Sequence, residues 1–222
     1  MKVTQQEQEY LKGLLWSNVK YQETFNEVYD HVLTAADELP ETGVSKPEAF
    51  DAIIDNDFGG IGNLTQLEAE RAKLVSSVIR KKQRQYQLSY FKLPLLLFTV
   101  LLAGVMYYAA DAIPRKVVLI IVLIVGFSPA VIVALRGMVR FFNRKHQKAS
   151  IKDKVIEQVG TLSMSLFNLF IFLPPLFVND DNYKFFKQAH ASLIVVTALF
   201  FFTYSFSFMR LYRDEFKMQL AQ

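Results

Sequence analysis

The chain has 222 residues, a formal net charge of +4, 20 phenylalanines and no cysteine. The absence of cysteine excludes disulfides, thiolate metal sites and cysteine nucleophiles. The charge is unevenly divided, because residues 1–78 carry 6 Lys or Arg and 14 Asp or Glu, whereas the remaining residues carry 19 and 7. The one polar domain is therefore acidic, which argues against binding of DNA or RNA.

Residues 1–78 predict a small bundle of cytoplasmic helices. Their starts are marked by pairs with capping-box spacing, in which two side chains satisfy each other's backbone amides: Thr4 with Glu7, Thr24 with Glu27, Ser45 with Glu48 and, more weakly, Asn63 with Gln66. Apolar residues follow each start at helical spacing. The glycines at 59, 60 and 62 predict a helix-terminating turn rather than a phosphate loop, because no lysine follows them. The fourth helix is expected to continue as a basic juxtamembrane linker over 79–92.

Three groups of residues in this segment form a recognisable pattern: Tyr29, Asp30 and His31; Gly43, Ser45, Glu48 and Ala49; and Phe58, Gly59 and Gly60. This pattern resembles that of the bacterial HAAS-type helical signalling domain, and the resemblance covers roughly the first 75 residues. The stretch from Phe58 to Asn63 is longer than the single glycine-proline step usual in that domain. The resemblance implies a membrane-associated sensory or regulatory protein, of a kind often encoded beside PadR-type transcriptional regulators, without a known reaction.

Four apolar runs of 18 to 22 uncharged residues follow the linker. Since a helix rises about 1.5 Å per residue, each run is long enough to cross a hydrocarbon core of about 30 Å. They predict transmembrane helices over 93–110, 117–136, 158–178 and 188–209, which form a membrane domain over 93–210, with a tail over 211–222. The predicted fold class is all-α, a small cytoplasmic helical bundle followed by four transmembrane helices.

Basic residues orient these helices, since Lys and Arg are retained on the cytoplasmic side of short loops. The linker, the loop after the second span and the tail hold 15 of them, whereas the other two loops hold 4. Both termini are therefore expected in the cytoplasm, and the protein in a bacterial inner membrane. The basic positions expected to attract anionic lipid head groups are Arg80, Lys81, Lys82, Arg84, Arg140, Arg144, Lys145 and Lys148.

The centres of the four runs contain no ionisable residue, although ion-coupled transporters usually need one there. The serines and threonines of the third and fourth runs are expected to bond between helices rather than to handle a substrate. Asn168 is the intramembrane polar residue to test first for a conducting or binding path. Pro129 is expected to kink the second span.

The polar side of the second helix carries the candidate partner-binding residues Glu27, Asp30, His31 and Asp37. For His31 a structural or partner-facing role is favoured over metal or pH sensing, because the two other histidines are predicted far from it. The sequence contains no paired carboxylates, metal cluster or nucleophile placed for catalysis, so we expect no enzyme, cofactor or metal. It favours a non-enzymatic sensory or regulatory membrane protein that docks a cytoplasmic protein, with a small transporter or permease-like subunit as the alternative. A homo-oligomer is left open.

Overall fold

A computed structural model describes residues 3–39, 45–143, 147–178 and 190–217. These residues form eight helices joined by short connections, which confirms the all-α class: α1 Gln5–Asn18, α2 Gln22–Glu38, α3 Lys46–Phe58, α4 Ile61–Ser89, α5 Leu95–Ala112, α6 Arg115–Asn143, α7 Ile151–Val178 and α8 Ala191–Lys217. The chain divides into two compact units. The head unit comprises Met1–Ser77 and Arg144–Val155, and the membrane unit comprises Val78–Asn143 and Ile156–Gln222.

Within the described ranges, three helices are long and apolar enough to cross a bilayer: α5, α6 over Arg115–Phe142, and α8 over Ala191–Phe216. Four were predicted. The predicted third span, 158–178, lies within α7, which is not among the three, and the side chains of residues 171–178 lie outside the described part of the chain. Both α6 and α8 extend beyond their predicted spans, because helical hydrogen bonding continues into the polar residues that end each apolar run.

The head unit is built on a core shared by its helices. Its fully buried side chains come from α1, α2, α3 and the first turn of α4: Leu11, Leu15, Val28, Val32, Phe50, Ile54 and Leu64. They recur at helical spacing, as the sequence predicted, and each large one contributes about 1.5–3 kcal/mol on burial.

Two of the predicted capping boxes are present, one at Thr4 and one at Ser45. The prediction at Thr24 is wrong, because α2 begins at Gln22 and Thr24 is buried. The prediction at Asn63 is also wrong, because α4 begins two residues earlier. The side chain of Asn63 instead donates to the carbonyl of Phe58 at 2.6 Å and so stabilises the end of α3.

The turn predicted between the third and fourth helices is confirmed. Gly59 has a φ of 71° and ends α3 in the left-handed conformation, which favours glycine. Beyond this turn α4 runs without a break from Ile61 to Ser89, so the expected linker is a continuous helix with the last head helix.

The membrane unit is organised around α8. In its candidate span 56% of the residues are buried, against 17% for α5 and 28% for α6. Two of its hydroxyls donate to carbonyls of other helices: Ser205 donates to the carbonyl of Val125 in α6 at 2.8 Å, and Tyr204 donates to the carbonyl of Val159 in α7 at 2.6 Å. The expectation of packing by intramembrane hydroxyls therefore holds for Ser205 and for Ser207, which accepts from the side-chain amide of Gln83 in α4 at 3.0 Å, whereas Thr197 and Thr203 bond carbonyls of their own helix.

Candidate functional site: a loop bound to the head

The head unit includes a segment that is distant in sequence, residues 147–151, which follows α6 and begins α7. It binds at the corner where α1 ends and α2 begins. We call this corner the loop site and define it by the head residues Trp16, Val19, Gln22 and Glu23. Its chemistry follows from two helix ends whose backbone groups are not satisfied within their own helices.

The C-terminus of α1 carries the negative end of the helix dipole but has no basic residue in its last turn. Lys148 supplies the missing cation. Its ammonium donates to the carbonyl of Trp16 at 2.6 Å and to the carbonyl of Val19. The same Nζ lies 4.5 Å from the centroid of the Trp16 indole, which adds a cation–π contact. Burial lowers the pKa of Lys148, although Glu68 acts in the opposite direction.

The loop backbone is held by Gln22 at two points. The Gln22 side-chain carbonyl accepts from the amide of Lys148 at 2.8 Å, and the Gln22 amide donates to the carbonyl of Ala149 at 3.2 Å. This pairing fixes the direction and the register of the loop without depending on the side chain of Ala149.

Glu23 binds the start of α7. Its carboxylate accepts from the hydroxyl of Ser150 and from the amide of Ile151, the latter at 3.2 Å. A carboxylate is favourable at a helix N-terminus, where free amides and the positive end of the dipole meet. Each segment therefore supplies a charged side chain to a helix end of the other: Lys148 of the loop stabilises the end of α1, and Glu23 of α2 stabilises the start of α7.

The connection between α1 and α2 is held in place by Glu68 of α4, whose side chain is buried at 4% exposure. Its carboxylate accepts from the amides of Lys20 and Tyr21, at distances of 2.9 to 3.1 Å. Tyr21 is the N-cap of α2 and offers no side-chain bond of its own. Glu68 therefore caps α2, which explains why this helix begins before the predicted start at Thr24.

Three of the four residues predicted to bind a partner contact other parts of the head. Glu27 forms a double ion pair with Arg71 of α4, His31 Nε2 lies 2.8 Å from Asp57 Oδ2 of α3, and Asp37 accepts from the amide of Val3 at 2.9 Å. These contacts join α2 to its neighbours. All four residues are exposed, and their role in binding a partner stays a prediction.

The basic residues predicted at the membrane surface are not equivalent. Lys82 pairs with Glu215, whose side chain is 8% exposed, and Lys148 is bound in the loop site. Arg80, Lys81 and Arg84 are exposed along α4, and Arg140 is partly exposed on α6. Arg144 and Lys145 lie outside the described residues. In α7, Asn168 is exposed rather than turned into the helix packing.

Comparison with protein-family models, curated proteins and solved structures finds no match for this chain. Its function must therefore be argued from its own residues. Among the described residues, no group of three or more His, Asp or Glu side chains is arranged to hold a metal ion.

A shallow groove of about 500 Å³ adjoins the loop site and shares Trp16 and Gln22 with it. Trp16 and Phe25, which line the groove, meet edge to face with ring centroids 5.8 Å apart, and Phe25 stacks on Tyr29 with ring centroids 5.9 Å apart. Lys148 stands over one end of this aromatic row and Lys12 over the other. The indole is 44% exposed with the loop bound and contacts the Lys148 ammonium, so release of the loop would change its environment.

Sequence reasoning assigned Lys148 to the membrane surface and gave no role to Trp16, Gln22 or Glu23. Two local signals were available. The last turn of α1 lacks a cation, and Tyr21 cannot cap the helix that follows it. Such ends indicate that partners come from elsewhere in the chain, but they do not identify them.

Proposed function

We propose that this chain is a non-enzymatic integral membrane protein of sensory or regulatory type, in which an acidic cytoplasmic head senses the state of the membrane helices through the loop that joins them. The observation that supports this most directly is the binding of residues 147–151 at the loop site. The bound segment follows α6, a candidate span, and leads directly into α7.

The proposed arrangement has four spans with both termini in the cytoplasm of a bacterial inner membrane, and the 158–178 segment of α7 as the third span. It follows from the distribution of Lys and Arg around the apolar runs. The exposed basic residues of α4 are available to anionic lipid head groups, and a cytoplasmic protein is the proposed receiver of the signal.

Coupling through the loop site has a simple physical basis. Tilting or shifting of the helices on either side of the loop strains a set of hydrogen bonds, each with a net contribution of about 0.5–1.5 kcal/mol. A perturbation of a few kcal/mol is then enough to change the fraction of molecules in which the loop is bound. Bilayer thickness is a suitable perturbation, because helices tilt to match it.

The test uses the single tryptophan of the chain, Trp16, whose emission reports on the loop site. The full chain is reconstituted in phosphatidylcholine bilayers of short, medium and long acyl chains. We expect the emission maximum to change with thickness in the wild type and in the control Lys73→Ala, which alters an exposed lysine of α4. We expect Lys148→Ala to give one emission maximum in all bilayers. Emission independent of thickness in the wild type would overturn the proposal.

A further inference from the structure

We infer that the loop site is a peptide-recognition site for a lysine followed two positions later by a serine, and that residues 147–151 are its resident occupant. A cytoplasmic protein that presents such a segment would bind the head by displacing the loop. This inference rests on the proposed function, since it names the chemistry of the partner and the event that binding regulates.

The site reads three separate chemical groups. Trp16 and Val19 present carbonyls to the ammonium, Gln22 pairs with the backbone, and Glu23 accepts the hydroxyl and the next amide. Backbone pairing supplies affinity for any peptide, whereas the ammonium and hydroxyl contacts depend on particular side chains. A site that divides its contacts in this way selects a sequence.

The first of these contacts favours lysine over arginine. Two backbone carbonyls and an indole face surround Nζ of Lys148, which suits a compact ammonium with three donors. A guanidinium is planar and longer, and its paired donors match carboxylates rather than these two carbonyls. We expect a Lys148→Arg change to weaken the binding of the loop although it preserves the charge.

The resident loop is exchangeable because polar contacts hold most of it. Ser150 and Glu23 meet at an exposed position, and Lys148 is partly exposed. The loop has the advantage of being tethered, which for a short linker corresponds to an effective concentration on the order of millimolar. A partner segment therefore needs either a higher affinity, from contacts in the adjoining aromatic groove, or a perturbation that loosens the loop.

The experiment asks whether the vacated site binds the same sequence in trans. The probe is a synthetic peptide with the sequence of residues 147–154, added to the full-length protein in bilayers. In the variant Lys148→Glu the new carboxylate faces the carbonyls of Trp16 and Val19 and displaces the loop. We expect saturable binding of the peptide to this variant, read from Trp16 emission, and at least tenfold weaker binding to the wild type.

Two matched controls define specificity. A peptide with alanine in place of the lysine, and the protein variant that combines Lys148→Glu with Glu23→Gln, should each bind at least tenfold more weakly. If Lys148→Glu does not fold, as judged by circular dichroism, the same titration is made with Lys148→Ala. Failure of the peptide to bind a folded, vacated variant would overturn the inference. That failure is distinct from failure of the proposed function, which appears as wild-type emission independent of bilayer thickness.

Discussion

The hydroxyl of Ser205 donates a 2.8 Å hydrogen bond to the carbonyl of Val125, four residues before Pro129. In a regular helix that carbonyl would accept from the amide of residue 129, but proline has none. Ser128 also donates to it, at 2.7 Å. Two hydroxyls, one from each of two helices, therefore replace the missing donor in α6.

We predict that Ser205→Ala destabilises the membrane unit by about 0.6 kcal/mol, and by no more than about 1.7 kcal/mol, which are the average and the maximum measured for such bonds between membrane helices. The cost should fall when Pro129→Ala is also present, because the substituted residue regains the amide that bonds Val125. The free energy of unfolding in mixed micelles, measured for both single variants and the double variant, gives the coupling. Thr203→Val serves as a control, since its hydroxyl bonds its own helix. Strict additivity would contradict this account.

Substitution by alanine is expected to have opposite effects on stability at Gly160 of α7, which is closely packed, and at Gly104 of α5, which is not. A Cβ added to Gly160 would lie 2.5 Å from a methyl of Val133 and 3.0 Å from the ring of Phe208, whereas one added to Gly104 meets nothing within 4 Å. We expect Gly160→Ala to destabilise by about 1–3 kcal/mol through overpacking. Gly104→Ala should be neutral or stabilising, because alanine has the higher helix propensity. The same unfolding assay measures both variants. Equal changes in the free energy of unfolding would show that the close contacts at Gly160 do not determine the cost of the added methyl group.

Sequence reasoning predicted the features that depend on local order. Helical spacing identified the head core around Leu11 and Val28, and hydroxyl–carboxylate spacing identified the caps at Thr4 and Ser45. These interactions join residues three or four positions apart, so the sequence displays them directly.

The features that could not be predicted join residues far apart. Glu68 caps a helix whose N-cap lies 47 residues earlier, and Lys148 reaches the carbonyl of Trp16 across 132 residues. The spacing of residue types along the sequence does not indicate which residues form such distant pairs. The acidic side of α2 illustrates the consequence. Glu27 and His31 stand on the polar face of an amphipathic helix, and helical spacing gives no sign of their contacts with Arg71 and Asp57 of the same head.

The buried cap of α2 gives a sharp comparison between two neighbouring glutamates. Glu68 is 4% exposed and accepts from the amides of Lys20 and Tyr21, whereas Glu70 is exposed and accepts from the side chain of Gln66 one turn away. Removing Glu68 takes a buried, charged acceptor away from two part-buried amides, which costs about 1–3 kcal/mol. We therefore expect Glu68→Ala to lower the stability of the head by that amount.

The matched change Glu70→Ala should alter the stability of the head by less than about 0.5 kcal/mol, because its contact is an exposed pair within one helix. Denaturant titration followed by Trp16 emission measures both variants in the full chain, since the only tryptophan lies in the head. A loss for Glu70→Ala as large as that for Glu68→Ala would show that burial of the cap does not set its contribution.

The ion pair between Glu27 and Arg71 predicts a dependence on pH. The hydrogen bond from Arg71 lowers the pKa of Glu27 below its ordinary value of 4.5. Because the folded pKa lies below the unfolded one, the pair contributes stability above about pH 4.5 and loses it as the pH falls through the folded pKa. Both side chains are about half exposed, so solvent screening limits the contribution to about 0.5 kcal/mol.

We therefore expect Glu27→Gln to lower the stability of the head by about 0.5 kcal/mol near neutral pH and to have no effect once the wild-type carboxyl is protonated. Added salt should reduce the neutral-pH difference, because the pair is exposed. The control is Asp30→Asn, which removes a neighbouring exposed charge of α2 outside this pair. The measurement is the denaturant midpoint of unfolding, followed by Trp16 emission near neutral pH and again in acid, where the Glu27 carboxyl is protonated. A difference between Glu27→Gln and the wild type that persisted unchanged in acid would mean that the glutamine disturbs packing, and that the ion pair does not stabilise the head.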